Sequence, residues 1–209
     1  MSKPFAEEVG SGLHIHISLL NEEGENMFSC DSGDPPPATS KKLKYAIGGL
    51  QDTMAESMAI FAPNANSYRR FTPGSYAPVN TAWGHNHRTV SLRIPPSNNC
   101  NTRIEHRSAG ADANPYLVMS AILAGIHHGI INKLTPDKMI HSGEYYDPPI
   151  GKLPSTWDKA LSSLESNSIL KNYFPENYLD YFLTVKRSEY DRFQSEVSDR
   201  DYAWYLKLA

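Results

Sequence analysis

The chain has 209 residues, of which 40% are hydrophobic, and a formal net charge of −3 from 20 basic and 23 acidic side chains. This length allows one sizeable hydrophobic core, and the near balance of charge excludes a global field that would attract nucleic acid or an anionic membrane. The 2 cysteines are too few for a disulfide framework, and no apolar run is long enough to span a membrane, so we expect one cytoplasmic domain.

The first predicted strand covers residues 12–20, where apolar and polar side chains alternate. One face of this strand carries the aliphatic side chains Leu13, Ile15 and Ile17. The opposite face carries His14, His16 and Ser18. Gly10 and Gly12, just before the strand, allow the backbone to approach a ligand closely. The polar face is therefore either the wall of a site or a pair of histidines that simply face solvent on an edge strand.

Further elements follow a loop rich in glycine and proline. Helical spacing of apolar residues predicts a helix from Lys41 to Ala62, which Gly48 and Gly49 weaken. The polar composition of residues 64–80, with its prolines and glycines, predicts a structured loop. Strands are predicted at residues 88–95 and 102–107.

Helices dominate the second half of the chain. Asn114 and Pro115 predict an N-cap and first turn, and the helix that follows, to about Leu134, is apolar nearly all round and should be buried. Amphipathic surface helices are expected at 155–164 and 176–193. We therefore predict an α/β (α+β) fold in which helices line a curved, mainly antiparallel sheet.

The strand TRIEHR contains the second cluster of polar residues. Arg103, Glu105 and Arg107 share one face, so a carboxylate is flanked by two guanidiniums. This arrangement is either a structural ladder of ion pairs or a carboxylate for a divalent cation with arginines for phosphate or carboxylate groups. The neighbouring segment RTVSLRIP adds Arg93 on a strand face and Arg88 in the loop before it.

Arginines are concentrated around these short strands. Arg70 lies in NSYRRFTPGSYAPV, before a Pro-Gly turn. Five arginines, two histidines and one carboxylate suit the handling of polyanions with a metal, as in phosphoryl transfer, where positioning and charge neutralisation carry the catalysis.

Five motifs occur in a fixed order: GSGLHIHISL, NSYRRFTPGSYAPV, NHRTVSLRIP, RIEHR and ANPYL. In this order they resemble the C-terminal part of the catalytic domain of the glutamine synthetase family, most closely its γ-glutamylputrescine synthetase-like members. The resemblance implies an ATP-dependent ligase that joins glutamate to an amine through γ-glutamyl phosphate, with Mg²⁺ (or Mn²⁺), in rings of subunits.

The resemblance also implies roles for individual residues. The metal ligands would be His14 and Glu105. The ATP contacts would be His16, Ser18, Arg88, Arg93 and Arg103, with Arg88 at the transferring phosphoryl group. The glutamate contacts would be Gly10, Arg70, Arg88 and Arg107.

Tyr76 departs from the pattern of the ammonia-using members, which carry a glutamate at this place in the loop. A carboxylate there helps to bind ammonium and takes its proton, whereas a phenol with a pKa near 10 is a poor base at neutral pH. Members with a non-acidic residue here resemble the ligases of putrescine and related amines. We therefore expect a primary amine or polyamine as acceptor, with Tyr76 and Arg88 as the catalytic candidates.

Length is the second departure from the family. Its members also contain a β-grasp domain and an E-x-E strand that supplies most of the metal-binding carboxylates, and neither is recognisable in residues 1–209. Glu105 is the only acidic residue in the recognised strands that faces the predicted cleft. We expect this chain to be one C-terminal portion of a catalytic domain and to be inactive alone.

Two other functions remain open at this stage. A non-catalytic relative would bind nucleotide and metal without turnover. A zinc hydrolase would use His14, His16 and Glu105 as ligands, although the surrounding arginines would repel the cation. Tyr145 and Tyr146 lie near the position of a nucleotidylated tyrosine in some family members, but we interpret them as surface residues.

Overall fold

The structure, a computed structural model, describes residues 1–30, 39–72, 75–141, 152–166 and 169–206. Its strands are β1 (Ile15–Ile17), β2 (Trp83–His85), β3 (Leu92–Ile94) and β4 (Ile104–His106). Its α-helices are α1 (Lys41–Phe61), α2 (Pro115–Asn132), α3 (Trp157–Ser166), α4 (Tyr178–Ser195) and α5 (Asp199–Tyr205). Tyr145, Tyr146 and the turn at 73–74 lie outside the described residues.

The four strands form one sheet in the order β1-β4-β3-β2. Strand β4 is antiparallel to both of its neighbours, whereas β2 and β3 are parallel, which confirms the predicted α/β fold with a mainly antiparallel sheet. The register places Glu105 of β4 opposite His16 on one side and opposite Arg93 on the other. Polar residues from three strands are thereby brought side by side.

Helix α1 forms the centre of the hydrophobic core. It begins at the N-cap Ser40, whose Oγ accepts the backbone N–H of Leu43 at 3.1 Å. Its apolar side chains pack against α2, α3 and the inner face of the sheet. The core therefore lies on the side of the sheet opposite to the polar strand face.

Gly49, one of the two glycines that weaken α1 in sequence terms, allows the close contact of α1 with α2. A Cβ on Gly49 would stand 2.1 Å from the carbonyl oxygen of Gly125, and a Cβ on Gly129 would stand 2.0 Å from the carbonyl oxygen of Tyr45. No side chain fits at these positions, so the two helix backbones meet directly.

Helix α2 begins where the sequence predicts. The Asn114 side chain accepts the backbone N–H of Tyr116 at 3.0 Å, and Pro115 occupies the first turn. The prediction that this helix is buried all round is wrong, because the core covers only one side of it. Its outer side exposes the large apolar residues Tyr116, Met119, Leu123 and Ile131.

Other boundaries differ from the predictions in detail. The strands predicted at 88–95 and 102–107 contain only three residues each, and β2 and α5 were not predicted at all. Within the described residues, no helix combines the length and apolarity needed to cross a membrane.

Candidate functional site

The polar face of β1 and its preceding residues forms one wall of the site. Leu13, Ile15 and Ile17 pack against the core, as the alternation predicts. His14, His16 and Ser18 point to the opposite side and are exposed.

The Glu105 carboxylate contacts polar side chains from three neighbouring segments of the sheet. This side chain is 4% exposed. Its Oε1 accepts Arg107 Nη1 at 2.8 Å and lies 3.1 Å from His14 Nδ1, while its Oε2 accepts Arg93 Nη1 at 2.5 Å. The carboxylate thus joins residues from β1, β3 and the end of β4. Asn86 has a left-handed backbone conformation, and its Oδ1 accepts a hydrogen bond from Arg93 Nη2 at 2.9 Å.

The charges of this cluster determine its protonation. Burial opposes the ionisation of Glu105, but the hydrogen bond from Arg93 and the charges of Arg107 and Arg93 outweigh it and lower the pKa of the carboxyl group. Burial, followed by the charge of Arg107, lowers the pKa of His14 despite the opposing effect of Glu105. A neutral imidazole therefore stands beside an ionised carboxylate, which are the protonation states that metal ligation requires.

Arg103 does not flank Glu105 as the shared parity predicted. Its Nε instead donates to His16 Nδ1 at 3.1 Å, and its Nη1 donates to the carbonyl of Asn101 at 3.1 Å. The physical reason is the sheet register, because Arg93 lies directly opposite Glu105 and occupies the place beside it.

In the described part of the chain, two cavities open on the polar strand face. The first, of about 530 Å³, is lined by Ser18, Ser97, Asn98, Cys100, Asn101 and Arg103. The second, of about 480 Å³, is lined by residues 3, 7–10, 12, 14, 70, 72, 75–77 and 107. His14 and Arg107, both in contact with Glu105, also line the second cavity.

The second cavity depends on glycines beside Arg70. A Cβ on Gly10 would stand 2.6 Å from Arg70 Cγ, and a Cβ on Gly12 would stand 3.1 Å from Arg70 Nη2. Arg70 itself is 5% exposed. The backbone of residues 10–12 can therefore lie directly against this guanidinium, which is the close approach that these glycines predict.

Arg88 and Tyr76 contribute their backbones to this region. Arg88 is exposed in the turn after β2, as predicted, and its carbonyl accepts Arg107 Nη2 at 2.8 Å. The carbonyl of Tyr76 lies 3.5 Å from the same Nη2, while the Tyr76 residue is 69% exposed at the second cavity. Among the described residues, the ion-pair partners of Glu105 are His14, Arg93 and Arg107, and the Arg88 side chain is not one of them.

A divalent cation finds only part of a binding site here. His14 and Glu105 offer one nitrogen and one carboxylate, but both carboxylate oxygens already accept hydrogen bonds from arginines. Among the described residues no group of three or more His, Cys, Asp or Glu side chains could hold a metal. Two donors fit one edge of a Mg²⁺ or Mn²⁺ site, which takes about six ligands. The zinc hydrolase is not supported, because His16 turns to Arg103 rather than joining His14 and Glu105.

Several residues of the site are not among those predicted from the sequence. Asn86 orients Arg93, residues 97–101 line the first cavity, and Asp112 lies behind Arg70. Asn86 stands within a recognised motif, but only its backbone conformation and its contact reveal its role. Asp112 offered one signal, an isolated acidic residue within the small-residue run SAGADA.

The family described as "Glutamine synthetase, catalytic domain" matches residues 1–205 of the chain. The chain belongs to this family. Among curated relatives of this glutamine synthetase-family chain, gamma-glutamylputrescine synthetase PuuA of Escherichia coli (strain K12) is 43% identical over 209 residues, covering 100% of the chain and 43% of the relative. A glutamine synthetase of Sulfolobus acidocaldarius is 38% identical over 200 residues, covering 90% of the chain and 42% of the relative.

A solved structure titled "Apo GmaS without ligand" superposes with a TM-score of 0.86 at 29% identity, covering 99% of the chain and 47% of that structure. The glutamine synthetase-family chain thus spans less than half the length of these relatives. The resemblance found in the five motifs is confirmed across the chain as a whole.

Proposed function

We propose that the chain provides the C-terminal part of the active site of an ATP-dependent ligase that forms a γ-glutamyl amide from glutamate and a primary amine. One observation carries this proposal: His14, Arg93 and Arg107 converge on the single carboxylate of Glu105. This carboxylate lies at the edge of the second cavity, which Arg70 lines and which we call the Arg70 cavity. Membership of the glutamine synthetase family and the likeness to PuuA support it.

Glutamate would occupy the cavity of about 480 Å³. Arg70 and Arg107 line it and would hold glutamate carboxylate groups, while the backbone of Gly10 would contact the same substrate. A carboxylate is a poor electrophile, so amide formation needs prior transfer of a phosphoryl group to the γ-carboxylate. The arginines would offset the repulsion between that carboxylate and the ATP phosphates.

ATP would lie along the rest of the polar strand face. Ser18 and Arg103 line the cavity of about 530 Å³, and His16 contacts Arg103. Arg93 donates to Glu105 and would meet the phosphates. Arg88 would reach the γ-phosphoryl group from its exposed turn. In this arrangement the phosphates would lie between the nucleoside and glutamate, as direct transfer requires.

His14 and Glu105 would hold one edge of a Mg²⁺ or Mn²⁺ ion. When bound, such an ion supplies charge neutralisation and orientation of phosphate oxygens. Because these two donors are fewer than the ion takes, we propose that the chain is inactive alone and that further ligands complete the site in a ring-forming protein. ATP-dependent γ-glutamylation by the purified 209-residue chain would contradict this.

A primary amine such as putrescine is the acceptor that Tyr76 favours. Tyr76 is an exposed residue at the mouth of the Arg70 cavity, where a phenol cannot bind ammonium as a carboxylate does. The deciding experiment is an amine panel, with ammonia included, on protein expressed from the complete open reading frame. We expect putrescine or a related amine to give the highest kcat/KM, and preference for ammonia over every diamine would reject this acceptor.

A non-catalytic relative is the second candidate, supported by the small number of metal-binding carboxylates among the described residues. It predicts that the product of the complete reading frame binds ATP and releases neither phosphate nor ADP with any amine. Calorimetric titration of ATP with Mg²⁺, run beside a phosphate-release assay, separates the two functions.

A further inference from the structure

Arg70 is a buried cation with an incomplete set of partners. It is 5% exposed, and its Nη1 has no hydrogen-bond partner in the described part of the chain. Burial lowers the pKa of this guanidinium, and Asp112 opposes that effect through its charge. A buried cation without a countercharge is costly, so the carboxylate behind Arg70 matters for where the guanidinium rests.

Asp112 has a matching incomplete set of partners. Its Oδ1 is buried and has no hydrogen-bond partner among the described residues. A Cβ on Gly110 would stand 2.5 Å from this Oδ1 and 3.0 Å from Arg70 Nη1. The two unpaired atoms of opposite charge therefore lie around the same point, and the absence of a side chain at Gly110 leaves the space between them.

The other oxygen of Asp112 is fixed by donors from two further segments. Oδ2 accepts the backbone N–H of Ser2 at 3.2 Å, Asn64 Nδ2 at 3.1 Å and Ser67 Oγ at 3.0 Å. Asn64 and Ser67 lie six and three positions before Arg70 in the chain. The carbonyl of Ser2 accepts the backbone N–H of Ser11, within the glycine segment that borders the Arg70 cavity.

These contacts give Asp112 a fixed position relative to the cavity wall. Burial opposes its ionisation, but the hydrogen bonds from Asn64, Ser67 and Ser2 outweigh that effect and lower the pKa of its carboxyl group. An ionised carboxylate is therefore held in place on the protein side of Arg70, while the guanidinium lines the cavity on the other side.

We propose that Asp112 is a positioning residue for Arg70, and that it fixes this guanidinium for a substrate carboxylate in the cavity bounded by residues 10–12. The proposal rests on the proposed function for the identity of that carboxylate as glutamate. Asp112 does not line the cavity and acts only through Arg70 and the segments at Ser2 and Ser67.

The test compares two substitutions in the 209-residue chain, one of Asp112 itself and one of a residue that donates to it. Asp112→Asn removes the charge and preserves the shape, whereas Ser67→Ala removes one hydrogen bond and preserves the charge. We expect Asp112→Asn to weaken glutamate binding about tenfold in calorimetric titration and Ser67→Ala to weaken it less than about twofold. ATP binding, at the other cavity, should change less than about twofold in both variants.

A double-mutant cycle distinguishes positioning from a general structural role. In an Arg70→Lys background, Asp112→Asn should weaken glutamate binding by less than about twofold further, because the residue through which it acts has changed. Additive losses, or wild-type glutamate affinity in Asp112→Asn, would overturn the proposal.

A readout without glutamate separates this inference from the proposed function. In NMR spectra of the chain, the Arg70 guanidinium should give separate Nη signals that merge in Asp112→Asn and stay separate in Ser67→Ala. Unchanged signals in Asp112→Asn would overturn the positioning role whether or not glutamate binds. Merged signals in a chain that does not bind glutamate would leave the positioning role standing and count against the glutamate site.

Gly110→Ala is the second variant if Asp112→Asn does not fold. Its Cβ would enter the space between Asp112 Oδ1 and Arg70 Nη1, at a residue without a positive φ. We expect the same loss of separate Arg70 signals with ATP binding retained, and unchanged signals would overturn the proposal.

Discussion

Arg93 and Glu105 lie directly opposite each other in the register of β3 and β4, and Arg93 Nη1 donates to Glu105 Oε2 at 2.5 Å. The same carboxylate accepts Arg107 and contacts His14. A single buried anion therefore neutralises cations that would otherwise repel each other. Its charge supports the local fold and the candidate site together.

We predict that Glu105→Gln lowers the free energy of unfolding by about 3 kcal/mol near neutral pH, because it leaves the buried Arg107 and the half-buried Arg93 without their countercharge. Urea denaturation measures this loss. The matched control is Glu165→Gln, which breaks the exposed pair of Glu165 with Arg187 and should cost less than about 1 kcal/mol. Equal losses in the two variants would contradict the role assigned to Glu105.

The Glu105 effect should depend on pH in a defined direction. Because the folded-state pKa of this carboxyl group is lowered, its contribution to stability is present above the ordinary glutamate value and is lost as the pH falls through the folded-state value. The difference between wild type and Glu105→Gln should therefore shrink in acid. A difference that grows below about pH 4 would show that the sign is wrong.

Tyr76→Glu should change the preferred amine. The new carboxylate would stand at the mouth of the Arg70 cavity, where it can bind ammonium and accept its proton. In protein from the complete open reading frame, we expect the kcat/KM ratio of ammonia to putrescine to rise by at least about tenfold. Tyr76→Phe, the control, retains the ring without the hydroxyl and should leave this ratio within about twofold. A ratio unchanged in Tyr76→Glu would remove Tyr76 from the determinants of acceptor choice.

The contact between α1 and α2 gives a prediction for stability alone. Gly49→Ala would place a Cβ 2.1 Å from the carbonyl oxygen of Gly125, so the helices must separate, and we expect a loss of about 3 kcal/mol in urea denaturation. Gly24→Ala is the control, because its Cβ meets nothing within 4 Å and only the positive φ of 80° costs free energy, about 1 kcal/mol. A smaller loss in Gly49→Ala than in Gly24→Ala would show that the helices adjust without cost.

The first strand and the start of α2 could be predicted, because their signals lie in a few consecutive residues. Alternation placed Ile15 and Ile17 in the core and His16 outside, and the Asn114 cap located the start of α2. Strand β2 gave no such signal, because Trp83–His85 has three residues with a glycine at its centre and pairs with β3 only through the tertiary fold. Periodicity also could not show that α2 would lack a covering layer outside Leu123.

The part of the candidate site that could be predicted is the set of side chains that share one face of the strands. His14, Glu105 and Arg107 come together as expected, since parity fixes the face on which each side chain lies. The partner choice of Arg103 was not predictable, because it depends on the register that sets Arg93 beside Glu105. Asp112 escaped notice for a related reason, since its contacts reach Ser2 and Asn64, far away in sequence.

Glu56 is a buried carboxyl group that should make the stability of the protein depend on pH. This α1 residue is fully buried, its Oε2 accepts the backbone N–H of Leu170 at 3.4 Å, and its Oε1 has no hydrogen-bond partner among the described residues. Burial raises the pKa of the carboxyl group to about 7, with a smaller contribution from the charge of Asp52 and an opposing one from the Leu170 N–H.

The sign of the Glu56 effect follows from this raised pKa. Below the unfolded-state value, 4.5, the carboxyl group is neutral in both states and its contribution to stability is complete. As the pH rises towards about 7, the unfolded chain releases the proton while the folded chain retains it, so stability falls by about 3 kcal/mol in total. Glu56→Gln cannot ionise and should be more stable than wild type by about 2–3 kcal/mol near pH 8, with no difference near pH 4.

Urea denaturation at several pH values, with the exposed Glu176→Gln as control, checks this directly. Glu176 is exposed, so its substitution should leave the pH dependence of wild type unchanged. A Glu56→Gln variant that loses stability near pH 8 would mean that an ionised Glu56 supports the turn at Leu170 through its hydrogen bond. A gain near pH 8 would instead establish that α1 contains a carboxylic acid whose proton is retained up to neutral pH, because ionising it would bury a charge with one weak partner.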